Sequence, residues 1–594
     1  MERVNGYHGQ YLSIDVYKGT AESLPIAPET LKTYIGGSGL GTRLLLDHRA
    51  WEADPLSPEA SIVFAFSPLV GSPLTTSAKF AVVSRSPLTD RINDSLASST
   101  FAIAGKRTGN DALLIHGKAP APSILLIEEN DVRLLTADHL WGQSAESTES
   151  RLRDELGADY SFAVIGPAGE KLVRYATISH SGRHAGRGGS GAILGAKNIK
   201  AIAVRGQQRT EWFDQEGLIK EARDLSKRSF GPATQKYREL GTAANVLVFN
   251  RLGCLPTRNF QKGTFESAAE LSPEAMDAAR DKMRSSCAAC TIGCTHIYKL
   301  DTDNESQSAR IEYENLFALG PLCEVSDQQT VLQASQLCDQ YGIDTISTGG
   351  TIAFAMECVE RGLLDEPWLR FGDNEALLKA IHLIGRDESF GKQLALGSRA
   401  LAQFIGHDSI EFAPQVKGLE LPGYEPRALQ TMALGFAVGT RGADHNRSGA
   451  YEVDFSEQVD RRNATLAQAR LAVETENKAA IMDSLILCKF LRGVFEDYFA
   501  ETAAMLNLVT GWGLDSADML HSAESVVQAK KEFNIACGWT PVEDTLPSRM
   551  LTSALEDDHK ASLTSDTLNS LIRAYNLERG WDEHGFPIVT GESV

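Results

Sequence analysis

CAACTIGCTH, residues 287–296, sets Cys287, Cys290 and Cys294 at C-x2-C-x3-C spacing. Thiolates suit soft metals, and three so close together grip one corner of a compact site. Structural zinc usually takes two knuckles, C-x2-C with a second C-x2-C or H-x3-5-H. No second knuckle follows here, and His296 stands two residues after Cys294, a poor spacing for closing a tetrahedron. A [4Fe–4S] cube needs four thiolates, often three local and one remote. The remaining cysteines are Cys254, Cys323, Cys338, Cys358, Cys488 and Cys537. Cys338 and Cys358 sit in apolar helical patterns and read as ordinary buried thiols. On ligand rules alone an iron–sulfur cluster leads, with zinc and coincidental core cysteines as the alternatives.

Working outward, the chain of 594 residues is long enough for roughly two to four domains. With 42% hydrophobic and 23% charged residues it reads as globular, with ample core. A net charge of −20 argues against a general nucleic-acid or anionic-membrane binder. No apolar run approaches about eighteen residues, and MERVNGYHGQ lacks the pattern of a signal peptide. Nine cysteines, none before Cys254, fit a reduced, cytoplasmic protein with one metal site. The first 205 residues are mostly strand-like: QYLSIDV, SIVFAF, KFAVVS, DALLIHG, SILLIEE, SFAVIG and KAIAVRG are short apolar runs bounded by turn residues. One helix, Ala145–Leu156, interrupts them. After Gly206, DQEGLIKEARDLSKRSF, SPEAMDAARDKMRSS, DQQTVLQASQLCDQYG, TISTGGTIAFAMECVERG and NEALLKAIHLIGRD carry helical periodicity. The expected class is α+β: a β-rich domain over 1–207, a helical domain with the cysteine triplet over 208–415, and a second helical domain over 416–594.

Cys488 lies in MDSLILCKF (482–490). With the triplet, and with YIGGSGLGTRLL (34–45), SPLVGSPLTTSAKFAVVSRSPLTDRINDS (67–95), GRHAGRGGSGAILGAKNIKAIAV (182–204), GIDTISTGG (342–350) and LELPGYEPRALQTMALGFAVGTRGADH (419–445), this resembles the tungsten-containing aldehyde:ferredoxin oxidoreductase family across nearly the whole chain. The large molybdopterin enzymes share a similar triplet, but theirs stands near the N-terminus with the fourth cysteine close by. The resemblance implies tungsten (or molybdenum) held by two molybdopterin dithiolenes, and a [4Fe–4S] cluster on Cys287, Cys290, Cys294 and Cys488. It also implies aldehyde oxidation to carboxylic acid, ferredoxin or a ferredoxin-like subunit as acceptor, and a β base under two helical domains. Homodimers occur in the family. Two other readings keep part of this: reduction of activated acids or aromatic acyl thioesters on the same cofactors, or a non-catalytic iron–sulfur relay subunit.

The same resemblance assigns residues. Asp344 and Asp483 match aspartates that accept hydrogen bonds from the pterin rings; the competing reading of Asp344 is a helix N-cap. Leu487 adjoins Cys488 and would touch cofactor. Gly186 and Gly188, and the GGSGLG segment, offer backbone free of side-chain bulk. Gly37, Gly39 and Gly41 leave Thr42 where a dinucleotide fingerprint needs its third glycine, so such a site is not expected. Lys79, Arg183, Arg187 and Lys197 are candidates for the pterin phosphates. Magnesium bridging those phosphates would use carbonyls near Leu96 and His184. His445 matches the histidine beside the metal, and Glu312 the catalytic glutamate, with Glu314 as rival; both residue types suit proton handling. Lys79, LASSTFAIAG (96–105) and His184 depart from the family pattern.

Overall fold

The computed structural model describes residues 4–129, 131–301 and 307–588. Twelve N-terminal strands form two six-stranded sheets. The first contains β1 (Gln10–Asp15), β2 (Thr20–Pro25), β3 (Ile62–Ala65), β4 (Lys79–Arg85), β5 (Ile92–Ser98) and β6 (Ala112–His116), in the order β2-β1-β6-β3-β4-β5. The second contains β7 (Ser123–Glu128), β8 (Asp131–Thr136), β9 (Ser161–Val164), β10 (Ile178–His180), β11 (Arg183–Ala185) and β12 (Ile199–Arg205), in the order β11-β10-β9-β12-β7-β8. Only the pairs β1/β6 and β7/β12 run parallel among the described strands.

The alternation in these strands is what stacks them. Leu12, Phe64, Phe80 and Leu113 of the first sheet meet Leu125, Ile127, Ile202 and Val204 of the second in one buried cluster. The opposite face of the first sheet (Val63, Ala65, Val83, Leu114) packs on Leu40 and Leu44 of the helix Gly37–Asp47. The opposite face of the second (Ile124, Leu126, Phe162) packs on Leu152 of the helix Ala145–Leu156. Four layers result, each fully buried Leu, Ile or Phe contributing roughly 1.5–3 kcal/mol. The GGSGLG glycines serve this packing. A Cβ on Gly41 would lie 2.4 Å from Val83 Cγ2, and one on Gly37, at φ +44°, would lie 2.3 Å from the Asp483 carbonyl oxygen. The segment therefore seats its helix on β4 and on the end of the helix Ala467–Leu485.

Beyond β12 helices dominate. Those at Gln215–Ser229, Gln328–Tyr341, Thr345–Glu360 and Asn374–Arg386 each begin after an aspartate whose side chain accepts an N–H from the first turn. One hydrophobic core runs through this region on both sides of residue 415, with Leu316, Phe354 and Ile381 in the same cluster as Met432, Met482 and Leu506. The triplet breaks the helical expectation. SPEAMDAARDKMRSS is helical only over Pro273–Ala279; Arg280 then turns extended, and Lys282–Ser285 becomes β13 of a three-stranded sheet with β14 (Thr295–Lys299) and β15 (Ser308–Ile311). The β13/β14 connection is the cysteine loop, so the thiols hang from a hairpin rather than a helix. No helix among the described residues is long and apolar enough to cross a membrane.

Candidate cofactor site

Cys287, Cys290, Cys294 and Cys488 line one cavity of ≈ 270 Å³, together with Thr76, Lys79, Leu96, Arg183, His184, Arg310, Glu312 and Phe490. Two segments about two hundred residues apart are held there by the 72–78 loop. The Thr76 N–H donates to the Ala289 carbonyl (2.5 Å), and Thr76 Oγ1 accepts from the Cys488 N–H (3.1 Å). Thr75 Oγ1 accepts from the Thr291 N–H at 3.0 Å. Thr76 sits at φ +67° and Ile486 at φ +57°, a left-handed conformation that β-branched residues resist. Each strained residue aims the backbone next to a cysteine segment. Burial pushes the Cys290 and Cys294 thiols up; Glu312 adds to this at Cys294, and the neighbouring cysteines at both. Thiols so placed ionise together only when a cation is shared among them. Among the described residues no group of three or more His, Cys, Asp or Glu is placed to hold a single ion. Four sulfurs around a cavity suit a polynuclear cluster better than one zinc.

Deeper in, charges fill the junction of the β layers with the helices. Arg447 donates to Asp94 Oδ1 (3.0 Å) and Asp483 Oδ2 (3.1 Å). Lys530 donates to Asp94 Oδ2 (2.8 Å), and Lys489 Nζ lies 2.7 Å from Asp483 Oδ1. Burial alone would raise the Asp94 carboxyl, but Arg447, Lys530 and Arg441 outweigh it and hold it well below the usual carboxylate range. Arg187 donates to the carbonyls of Ala443 (2.7 Å) and Glu420 and reaches Asp344 Oδ2 at 3.4 Å. Asp344 also caps its helix, accepting the Ser347 N–H at 3.0 Å. The capping and pairing roles of Asp344 are thus both present. Among the described residues several buried polar atoms of this junction meet no hydrogen-bond partner: Asn93 Oδ1, and Nε and Nη2 of Arg441. Interiors rarely leave such atoms unmatched, so a polar, anionic group fits here.

Beside them His445 opens the short helix His445–Ser448 behind its N-cap Asp444. Its ring stacks on Tyr424 (centroids 4.9 Å apart, 26° between planes). Asn446 Nδ2 donates to Nε2 at 2.8 Å, which puts the ring proton on Nδ1, where no partner meets it. Glu314 Oε1, likewise unpartnered by any hydrogen bond, lies 3.5 Å from His445 Nε2. Burial lowers the His445 pKa to about 3, against the pull of Asp444. Burial raises that of Glu314 to about 8, with Asp444 and Asp344 adding to it against the Gly423 N–H and Arg187. The pair is a neutral imidazole beside a protonated acid, not an ion pair.

The two glutamates face different places. Glu312 faces the cysteine cavity, precedes the helix Tyr313–Leu319 as its N-cap and accepts from Thr242 Oγ1 (2.6 Å). Two residues on, within the first turn, the chain turns Glu314 to His445. Lys79 Nζ donates to the Leu487 carbonyl at 3.4 Å, tying β4 to the Cys488 segment. His184 is held by Ser179 Oγ (2.8 Å) and lies 3.0 Å from Asp339. Gly186 leaves its side open, the nearest atom to an added Cβ being Asp344 Oδ1 at 4.0 Å; Gly188, at φ +83°, lies against Asn93. Lys197 turns away, donating to the carbonyls of Pro58, Ala60 and Gly117. It is a structural cation, not a phosphate ligand. Thr75, Thr76, Asp94, Arg441, Arg447, Lys489 and Lys530 were not singled out from sequence. The only local signal was the polar texture of RINDS and RGADHNRS within otherwise apolar surroundings.

Residues 11–206 match the family model described as aldehyde ferredoxin oxidoreductase, N-terminal domain, and residues 218–590 match that for domains 2 and 3. The chain belongs to the aldehyde ferredoxin oxidoreductase family. It is 35% identical over 600 residues to the tungsten-containing aldehyde ferredoxin oxidoreductase of Pyrococcus abyssi, covering 98% of this chain and 97% of that protein. It is 27% identical over 619 residues to the aliphatic sulfonate oxidoreductase, WOR-like subunit, of Pyrococcus furiosus, covering 98% and 95%. The active site complex BamBC of benzoyl coenzyme A reductase superposes with a TM-score of 0.83 at 22% identity, over 98% of this chain and 96% of that one. That likeness establishes the aldehyde ferredoxin oxidoreductase fold, not a shared substrate.

Proposed function

We propose that the protein oxidises an aldehyde to a carboxylic acid, RCHO + H2O → RCOOH + 2 H⁺ + 2 e⁻, and passes the electrons singly to a ferredoxin-like acceptor. The observation that carries this reading is the meeting of Cys488 with the triplet on one cavity, within a family-typical chain. When bound, a tungsten (or molybdenum) bis-pterin would supply the two-electron acceptor and a [4Fe–4S] cluster the one-electron relay. The four cysteines would hold the cluster. Arg441, Asn93, Asp344, Asp483 and the open edge at Gly186 would hold the pterin groups, with backbone near Leu96 and His184 for magnesium.

The chain's own residues handle the substrate oxygen and its protons. His445 presents an N–H from Nδ1, a donor that polarises a carbonyl without needing to change charge. Glu314, protonated at neutral pH, donates from its carboxyl; with a pKa of about 8 it can give up that proton and regain one. Tyr424 covers the imidazole and keeps water from it. The unpaired thiols suit a reducing compartment such as the cytoplasm.

Elemental analysis of anaerobically purified protein is the test, with about four irons and about one tungsten or molybdenum expected per chain. A panel of aldehydes assayed with a viologen dye should give turnover. Absence of both heavy metals, or silence across the panel in fully loaded protein, overturns the reading.

A further inference from the structure

The cysteine loop is near the surface: all four thiols are half-buried, and Ser286 just before the triplet and Ala289 and Thr291 within it are exposed. What surrounds it is unlike the rest of this acidic molecule. Arg284, on the edge strand β13, brings Nε within 3.8 Å of the Cβ position on Gly293, next to Cys294. Lys236 lies 4.9 Å over Tyr237, whose ring stacks at 4.1 Å on Phe490 of the cavity wall. Arg238, whose carbonyl meets His296 at 3.2 Å, covers Phe230 at 4.2 Å. Arg183 lines the cavity itself. Among the described residues none of these four cations is ion-paired. Their neighbours Lys282 and Lys299 are paired, to Asp277 and Asp281. Of the nearby acids, those two are thus engaged, and Glu239 accepts from Gln235 (2.7 Å). One apolar side chain protrudes among these cations, Phe230 at 57% exposure.

We propose that this face docks the electron acceptor, and that the acceptor is a small acidic electron-carrier protein; the proposal rests on the functional reading above. Cations with no ion-pair partner among the described residues, on a molecule of net charge −20, give a local field of opposite sign to the whole. Such a patch steers an acidic partner to one spot while the remaining surface repels it. Phe230 supplies the apolar contact that charge alone lacks. Edge-strand cations also discourage pairing of β13 with another sheet, so charge here serves solubility as well as recognition. Each docked carrier takes one electron, so one aldehyde, oxidised by two, reduces two carriers in turn.

The test is binding and electron transfer with an acidic ferredoxin that carries a single [4Fe–4S] cluster, using holoenzyme and the double variant Lys236→Glu/Arg284→Glu. Neither residue belongs to the cofactor site. Calorimetric Kd at low salt should weaken about tenfold or more in the variant, and the steep salt dependence of the wild type should flatten. Dye-linked aldehyde turnover should be unchanged, because a viologen needs no docking face. A matched reversal at two other exposed lysines, Lys392→Glu/Lys560→Glu, should leave Kd within about twofold. Equal Kd and salt slope for wild type and the first variant overturn the proposal. A wild type silent toward aldehydes with dye overturns the functional reading instead, while the binding data still decide the docking face.

Discussion

The cysteine cavity and the His445–Glu314 interior are built in opposite ways. The first is a surface hairpin whose thiols gain meaning from spacing, bracketed by a loop carrying a strained threonine. The second is a deep junction in which charges from distant segments neutralise one another, leaving a few unmatched atoms. The comparison teaches that a thiol-lined cavity is written locally, whereas a buried junction of charges is written in long-range electrostatics. Mutations should therefore act differently in the two places.

The largest effect is expected at the cavity. Cys488→Ala removes one of four ligands, and iron should fall from about four per chain to a fraction of that, with loss of visible absorption. Acceptor-linked activity should drop by at least about 1,000-fold. Cys358→Ala, which alters a buried thiol in a helix, should keep its iron. Iron retained in the first variant would break the idea that two remote segments share one cluster.

In the interior, Glu314→Ala should lower kcat by about 100-fold or more, in keeping with loss of a proton-transferring group, while iron stays at the wild-type level. Its pH signature has a definite sign. Glu314 has a folded pKa of about 8, above its ordinary value of 4.5, so the protonated form dominates below 8. Activity that needs the donor falls as pH rises through about 8, and Glu314→Gln, which keeps a hydrogen-bond donor but transfers no proton, should flatten that limb at a lower rate. The same raised pKa adds stability that is fully present below pH 4.5 and is lost as pH rises through 8. His445 runs the other way: burial keeps it neutral to about pH 3, so its contribution is present above about 6.5 and is lost as pH falls toward 3.

Arg447→Met tests whether the network is structural. Asp94 and Asp483 are each about 1% exposed, so removing the guanidinium between them strands two buried carboxylates. Such losses cost roughly 3–5 kcal/mol, read as a lower denaturation midpoint at unchanged slope. A stability loss under about 0.5 kcal/mol would mean that Lys489 and Lys530 suffice.

Why the sequence revealed one region better than the other follows from the same contrast. QYLSIDV alternates, SIVFAF and KAIAVRG are short apolar runs between turn residues, and each is a strand; Ala145–Leu156 is the helix its capping Ser144 announces. The cysteines advertise themselves by chemistry and spacing. Lys530 meets Asp94 across 436 residues, a pairing with no local periodicity to expose it. β13 was missed because KMRS is short and exposed and continues an amphipathic run; only its hairpin partner β14 makes it a strand. Thr76 looked like one polar residue in SPLTTSAKF, since φ is invisible in a sequence. For the GGSGLG glycines the sequence leaves the use of the bare backbone open, because close helix–strand packing and a phosphate cradle demand the same absence of side chains.

The smallest effect belongs to Glu312, and it separates the two glutamates. Glu312 stands at the start of the helix Tyr313–Leu319, its N–H donating to Asn315 Oδ1 (2.8 Å) and its carboxylate accepting from Thr242. Glu312→Ala removes that acceptor at a cost of about 1 kcal/mol, typical of an N-terminal cap. It leaves Glu314 and His445 untouched, so dye-linked kcat should stay within about threefold of wild type and the descent near pH 8 should persist. Only the cluster should register the change, because the Glu312 carboxylate raises the Cys294 thiol. Removing a negative charge beside the cavity favours the extra electron there, so the potential should move positive in a titration followed by paramagnetic resonance. A kcat loss of about 1,000-fold with metals retained would reverse the assignment and move proton handling from the buried junction to the wall of the cysteine cavity.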